Sequence, residues 1–112
     1  MALHEQNCVP CRGGVPSLAP EEVKRLLAEV DGWEAPRDRR LTRTFRFKDF
    51  RSALSFVDRV GAMAEEQNHH PDLHLAWGQV VVEIWTHKID GLTESDFVFA
   101  AKCDELAKAA PG

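Results

Sequence analysis

No apolar run in the chain approaches the ~20 residues that a membrane-spanning helix needs. The opening MALHEQNCVPC has neither a basic n-region nor an apolar h-region, so it does not read as a secretory signal. Basic charge is in deficit: 14 Lys and Arg face 18 Asp and Glu, a net charge of −4. The electropositive footprint of a nucleic-acid binder is therefore missing. The one locally basic segment, residues 37–48, reads as a solvated strand face. Cysteine is scarce and odd in number, three in all, which excludes a disulfide framework. Internal repeats and low-complexity tracts are also missing. These absences lead to the expectation of a cytoplasmic protein that engages neither nucleic acid nor membrane.

What remains is an ordinary globular composition. The 112 residues, 44% of them hydrophobic, suffice for one core and one domain. Residues 1–17 carry CRGGVP and no periodicity, and they read as a flexible N-terminal tail holding Cys8-x-x-Cys11. A lone C-x-x-C is a weak signal, and reduced thiols in an unstructured tail are the expected state. The domain then spans residues 18–110.

Three helices are legible. In the first, Pro20 suits the opening position, and Val23, Leu26, Leu27 and Val30 share one face, with Gly32 as the stop. In the second, Asp49 can cap a stripe of Phe50, Ala53, Leu54, Val57, Val60, Gly61 and Ala64. Phe56 and Met63 widen that stripe, so the helix meets either a partner subunit or a large core. The third begins at Thr93, with Asp96 three residues on as in a capping box. Between the helices lie two strand pairs. One is a short strand near Trp33, a polar turn and a longer strand containing Leu41, Phe45 and Phe47, where Arg43 breaks the apolar side. The other runs from His74 to His87, with a break at Gly78. Val80, Val82, Ile84 and Thr86 point one way, and Val81, Glu83, Trp85 and His87 the other. The expected fold is α+β: two layers, a four-stranded antiparallel sheet with three helices packed on one face.

The stretch EQNHHPDLHLAWG gathers three histidines within six positions. A metal site is the first reading, but the spacing matches no local motif. There is no H-E-x-x-H, and Pro71 biases His70 away from the helical geometry that an i,i+4 pair with His74 needs. No metal is expected. Nucleophilic catalysis fails too: no G-x-S-x-G elbow is present, and Cys103 falls mid-helix near an apolar side. Two readings stay open. His69 and His70, beside Glu65 and Glu66 at a helix C-terminus, form either a polar corner satisfying backbone groups or an acid–base site. His87 and Asp96 could be brought to that corner by the sheet. Trp77 and Trp85 could then wall a planar ligand, although core filling explains each tryptophan as well.

These residues, in the order E-x-x-x-H-H-P (Glu65 to Pro71), Trp77, Thr86-His87, Gly91-Leu92 and Asp96, resemble the pterin-4a-carbinolamine dehydratases. The likeness runs from Leu18 to Lys108 and includes Gly32-Trp33 and F-x-F-K-D-F at residues 45–50. The resemblance implies removal of water from 4a-hydroxytetrahydropterin to give quinonoid dihydropterin, without metal or organic cofactor. It implies His69 and His87 as the acid–base pair and His70 as a substrate-positioning residue. Asn68, Trp85, Thr86 and Lys88 are implied to line the pterin site. Asp96 would orient His87, cap its helix, or both; Glu65 and Pro71 occupy motif positions of less defined role. Lys88 departs from the family pattern, and His74 has no counterpart there and reads as a surface histidine. The implied partners are a pterin substrate, an aromatic amino acid hydroxylase whose cofactor is recycled, and further copies of the chain in a homodimer or homotetramer. The alternative is a pterin-binding or transcription-coactivator module without physiological catalysis.

Overall fold

The computed structural model describes residues 2–9 and 16–109. Helix α1 spans Pro20–Leu27, strand β1 Leu41–Arg46, helix α2 Phe50–Gln67, strand β2 Asp72–Ala76, strand β3 Gln79–Ile84 and helix α3 Glu94–Ala109. The three strands form one antiparallel sheet in the order β1-β3-β2. Register pairs Leu41 with Ile84 and Phe45 with Val80 on one side of β3, and Leu73 with Val82 and Leu75 with Val80 on the other. One sheet face thus gathers Leu41, Phe45, Val80, Val82 and Ile84, all buried, against α2 and α3. No helix among the described residues is long and apolar enough to cross a membrane.

The fourth strand expected near Trp33 is not formed. It shrinks to a single bridge, Glu34 with Thr42, whose two N–H···O bonds are each 2.9 Å. The chain breaks away at once because Pro36 offers no N–H for a ladder. Arg37 and Asp38 then take positive φ, 55° and 56°, turning the backbone into β1. The first helix also stops earlier than Gly32. It ends at Leu27, and short-range bonds from Glu29 to Leu26 and from Val30 to Leu27 tighten the exit. Gly32, at φ 73°, then makes the turn that delivers Trp33.

Capping follows the side chains available. Asp49 accepts the Ser52 N–H at 2.8 Å and starts α2. Ala19 has no capping oxygen, so Glu22 reaches back to the Ala19 N–H instead, at 3.5 Å. Turn residues Trp77 and Gly78 join β2 to β3. Glycine fits closely there: a Cβ would come 3.1 Å from the Phe47 carbonyl oxygen, a contact that the backbone would have to ease.

Two departures from pattern have a common origin in α3. This helix is buried from Ser95 to Ala101 without interruption, so it needs cover on every side. Part of that cover is the N-terminal segment expected as a flexible tail. Over residues 2–9 it packs along α3, with Leu3 buried and Lys102 donating to the His4 carbonyl at 2.9 Å. Cys11 lies outside the described residues. The second departure is Arg43, on the apolar side of β1. Its guanidinium lies over the Phe45 ring and donates to buried Asp104 at 2.6 Å. Trp33 Nε1 and the Asp31 N–H donate to the same carboxylate at 2.8 and 3.0 Å.

The wide stripe of α2 divides in two. Ala53, Phe56, Val60 and Ala64 are buried in the core, while Phe50 and Leu54 remain exposed.

Candidate active site

A cleft of about 250 Å³ opens where the C-terminus of α2 meets the loop after β3. Asn68, His69, His70, Trp85, Thr86, His87 and Lys88 line it. Each is delivered by an identifiable backbone device. Asn68 sits in the left-handed region, φ 52° and ψ 41°, a conformation that Asn tolerates better than most side chains. Its N–H bonds to the Glu65 carbonyl and the His69 N–H to the Ala64 carbonyl, the paired bonds of a Schellman motif. The two histidines therefore leave α2 in a fixed direction, and Pro71 carries the chain into β2.

The opposite wall is a tight loop closed at its base by a bridge between Thr86 and Gly91. His87 and Lys88 open a 3-10 turn over His87–Ile89, and Asp90 at φ 47° turns the chain back. Gly91 is crowded: a Cβ would meet Ser17 Oγ at 2.2 Å. Trp85 lies against the His87 ring, with centroids 4.4 Å apart.

At the base of the cleft stands Asp96, fully buried, with three donors converging on its carboxylate. His69 Nε2 lies 2.6 Å from Oδ1. The Thr86 hydroxyl and the Thr93 N–H each donate to Oδ2 at 2.8 Å. Because Thr86 spends its proton on Asp96, the Thr93 hydroxyl donates to Thr86 Oγ1 across 3.0 Å. A carboxylate accepts and does not donate, so the Nε2 proton of His69 is fixed by Asp96. In the neutral ring the lone pair is then on Nδ1. The ring is further held edge-on to Phe99, 5.9 Å between centroids.

Asp96 thus bonds the Thr93 N–H as a capping-box residue would, and it orients a histidine. That histidine is His69, from the facing helix, and not His87. His87 is exposed and stacks on Trp85 instead. His70 is partnered by Glu65, one turn back on α2, with both side chains largely in solvent. Trp77 does not reach the cleft. It stands in the β2–β3 turn, 68% exposed, with the ~20 Å length of β3 between it and Trp85. His74 is exposed on β2. No group of three or more metal-competent side chains occurs among the described residues.

Arg40 also belongs to the Trp85 wall. Its guanidinium covers the Trp85 ring at 4.1 Å and donates to Asp90 at 2.8 Å. That hydrogen bond and charge hold the Asp90 carboxyl below its ordinary pKa. Nothing in the basic run from Arg37 to Lys48 distinguishes Arg40 from its neighbours; only pairing of β1 with β3 brings it to Trp85.

Comparison with known proteins gives a consistent result. Residues 16–106 match the family model for pterin 4 alpha carbinolamine dehydratase. A protein of Rubrobacter xylanophilus is 60% identical over 104 residues, covering 93% of this chain and 97% of its own. One from Alkaliphilus metalliredigens is 48% identical over 104 residues, covering 92% and 94%. Both carry names that assign them provisionally as pterin-4-alpha-carbinolamine dehydratases. Among solved structures, a transcriptional coactivator/pterin dehydratase from Brucella melitensis superposes with a TM-score of 0.78 at 34% identity, over 82% of this chain and 99% of that one. The chain belongs to the pterin 4 alpha carbinolamine dehydratase family.

Proposed function

We propose that this protein dehydrates 4a-hydroxytetrahydropterin to quinonoid dihydropterin by histidine general acid–base catalysis. The observation that carries this reading is the pairing of His69 with buried Asp96 at one side of a cleft whose other side presents His87. In the reaction the C4a–O bond breaks and the hydroxyl leaves as water, taking one proton from an acid. N5 gives its proton to a base, and the N5=C4a double bond forms. Proton count is unchanged, so two imidazoles near neutrality suffice and no electrons are exchanged.

His69 and His87 take the two proton-transfer roles. Asp96 stabilises a positive charge on His69, whichever direction the proton moves. Trp85, with Arg40 over its ring and His87 against it, supplies an aromatic wall of the cleft for the pterin. His70, Asn68, Thr86 and Lys88 line the rest of the cleft for the polar edge of the ring, and the Glu65 pairing supports His70 as a positioning residue. No metal and no organic cofactor enters this chemistry.

The biological setting that fits is recycling of the pterin used by an aromatic amino acid hydroxylase. The exposed Phe50 and Leu54 on α2 favour a homo-oligomer through that face. The test is direct: generate the 4a-carbinolamine enzymatically and follow its dehydration. Wild type should accelerate the step, and a His69→Ala, His87→Ala double variant should lose about a hundredfold or more of that acceleration. A wild type without effect, or a double variant with full activity, would overturn the assignment.

A further inference from the structure

Residues 2–9 lie before the stretch matched by the family model, yet they touch the C-terminus of α2, which leads into the cleft, and α3, which carries Asp96. From Leu3 the segment runs along α3 toward its N-terminus. His4 approaches Glu105 near the far end, and Cys8 and Val9 reach Ser95 at the near end. The Cys8 N–H donates to Gln67 Oε1 at 2.8 Å. The Val9 N–H donates to Ser95 Oγ at 2.8 Å, and that hydroxyl returns a 3.3 Å bond to the Val9 carbonyl. The Gln67 amide also donates to Asn7 Oδ1 at 3.3 Å.

The positions of the two anchors give these bonds their meaning. Gln67 is the last residue of α2, directly before Asn68 and His69. Ser95 directly precedes Asp96 on α3. The His69–Asp96 bond joins the end of α2 to α3, and two adjacent main-chain amides of the segment span the same gap, bonded two residues before His69 and one residue before Asp96. Cys8 is packed tightly enough that burial pushes its thiol to about 11.

We propose that Gln67 and Ser95 are positioning residues for the His69–Asp96 pair, strapped together by the backbone of Cys8 and Val9. The N-terminal segment is then part of the active-site scaffold. This rests on the dehydratase reading for its effect on rate, but not for its effect on His69.

A Gln67→Leu, Ser95→Ala double variant removes both side-chain anchors. Three readouts are taken on the full chain: alkylation of Cys8 followed by peptide mapping, the His69 ring nitrogen resonances in ¹⁵N NMR, and dehydration kinetics. Release of the strap should speed Cys8 alkylation about tenfold or more, as desolvation of the thiol is relieved. The His69 resonances should move, and kcat should fall about tenfold with KM within about twofold, since orientation and not binding is lost. Gln67→Glu keeps the acceptor for the Cys8 N–H, loses only the 3.3 Å bond to Asn7, and should stay within about twofold of wild type in all three readouts. Should the double variant unfold, the single Ser95→Ala variant, which leaves the Gln67 anchor in place, is read in the same way.

Cys8 that stays protected in the variant would overturn the anchoring. Cys8 that is released while His69 and kcat stay at wild-type values would overturn the positioning role. The resonances are read without turnover, so a protein that failed as a dehydratase would still decide this point.

Discussion

Asp96 and Asp104 stand about two turns apart on one helix, both buried, each accepting three hydrogen bonds. Their partners separate them. Asp104 faces Arg43, a cation at every accessible pH, together with Trp33 Nε1 and the Asp31 N–H. Asp96 faces His69, whose imidazole can take up or release a proton, together with Thr86 and Thr93. One carboxylate is a permanent tie between α3, β1 and the turn before it. The other holds a group that, in the reaction proposed above, changes charge. The same residue type, buried in both places, is thus a structural tie at one end of the helix and, in the proposed reaction, part of the site at the other. What distinguishes them is whether the bound partner can titrate.

The largest expected effect falls on the structural member. Asp104→Ala leaves Arg43 and Trp33 facing a site without an acceptor. Loss of one partner of such a pair should cost about 3 kcal/mol of stability, read by urea denaturation. The dehydration rate per folded molecule should stay within about twofold. A larger loss of rate than of stability would erase the distinction between the two ends of α3.

Asp96→Asn should show the reverse balance. The amide keeps the shape but has one accepting oxygen for three donors. If that oxygen serves Thr86 and Thr93, the amide N–H₂ faces His69 Nε2 and drives its proton to Nδ1. His69 is then the wrong tautomer and loses its counter-charge as well. Dehydration should slow about a hundredfold, roughly 2.7 kcal/mol of barrier, with a smaller stability loss than in Asp104→Ala. Steady-state rates and denaturation curves on both variants check the crossover.

How much of this contrast was readable beforehand depends on sequence distance. The β3 alternation and the starts of α1 and α2 rest on neighbours within a few residues, and they were legible. The His69–His70 corner was legible because Asn68 and Pro71 flank it directly. Local spacing marks Asp96 as a cap for its own helix, and the Thr93 N–H bond agrees. The resemblance implies His87, nine residues away, as its other partner, but the bond is made to His69, 27 residues away. Arg43 looked like a flaw in a strand because its acceptor lies 61 residues later. The missing fourth strand shows the limit from the other side: local extension near Trp33 cannot make a ladder when Pro36 and two positive-φ residues follow it. The docking of residues 2–9 was invisible because those residues carry no period. The uninterrupted apolar run from Phe97 to Ala101, which calls for cover on all sides of α3, was the available clue.

The smallest effect tests the electrostatics of the comparison directly. Burial raises the Asp104 carboxyl above its ordinary 3.8, against the opposing pull of the Asp31, Trp33 and Arg43 donors. As pH rises, the unfolded chain therefore releases this proton first. Between the two pKa values the folded state holds more protons, so folding stability from this group falls across that window and is constant above it. An Asn at the position cannot titrate. The stability advantage of wild type over Asp104→Asn should thus be greater at about pH 3.5 than at about pH 7, measured as the difference in unfolding free energy. The opposite slope would mean that Arg43 outweighs burial and that Asp104 favours its charged form on folding. In that case the stabilisation of Asp104 would depend on ionisation as closely as the function of Asp96 does, and the two ends of α3 would differ in partner alone.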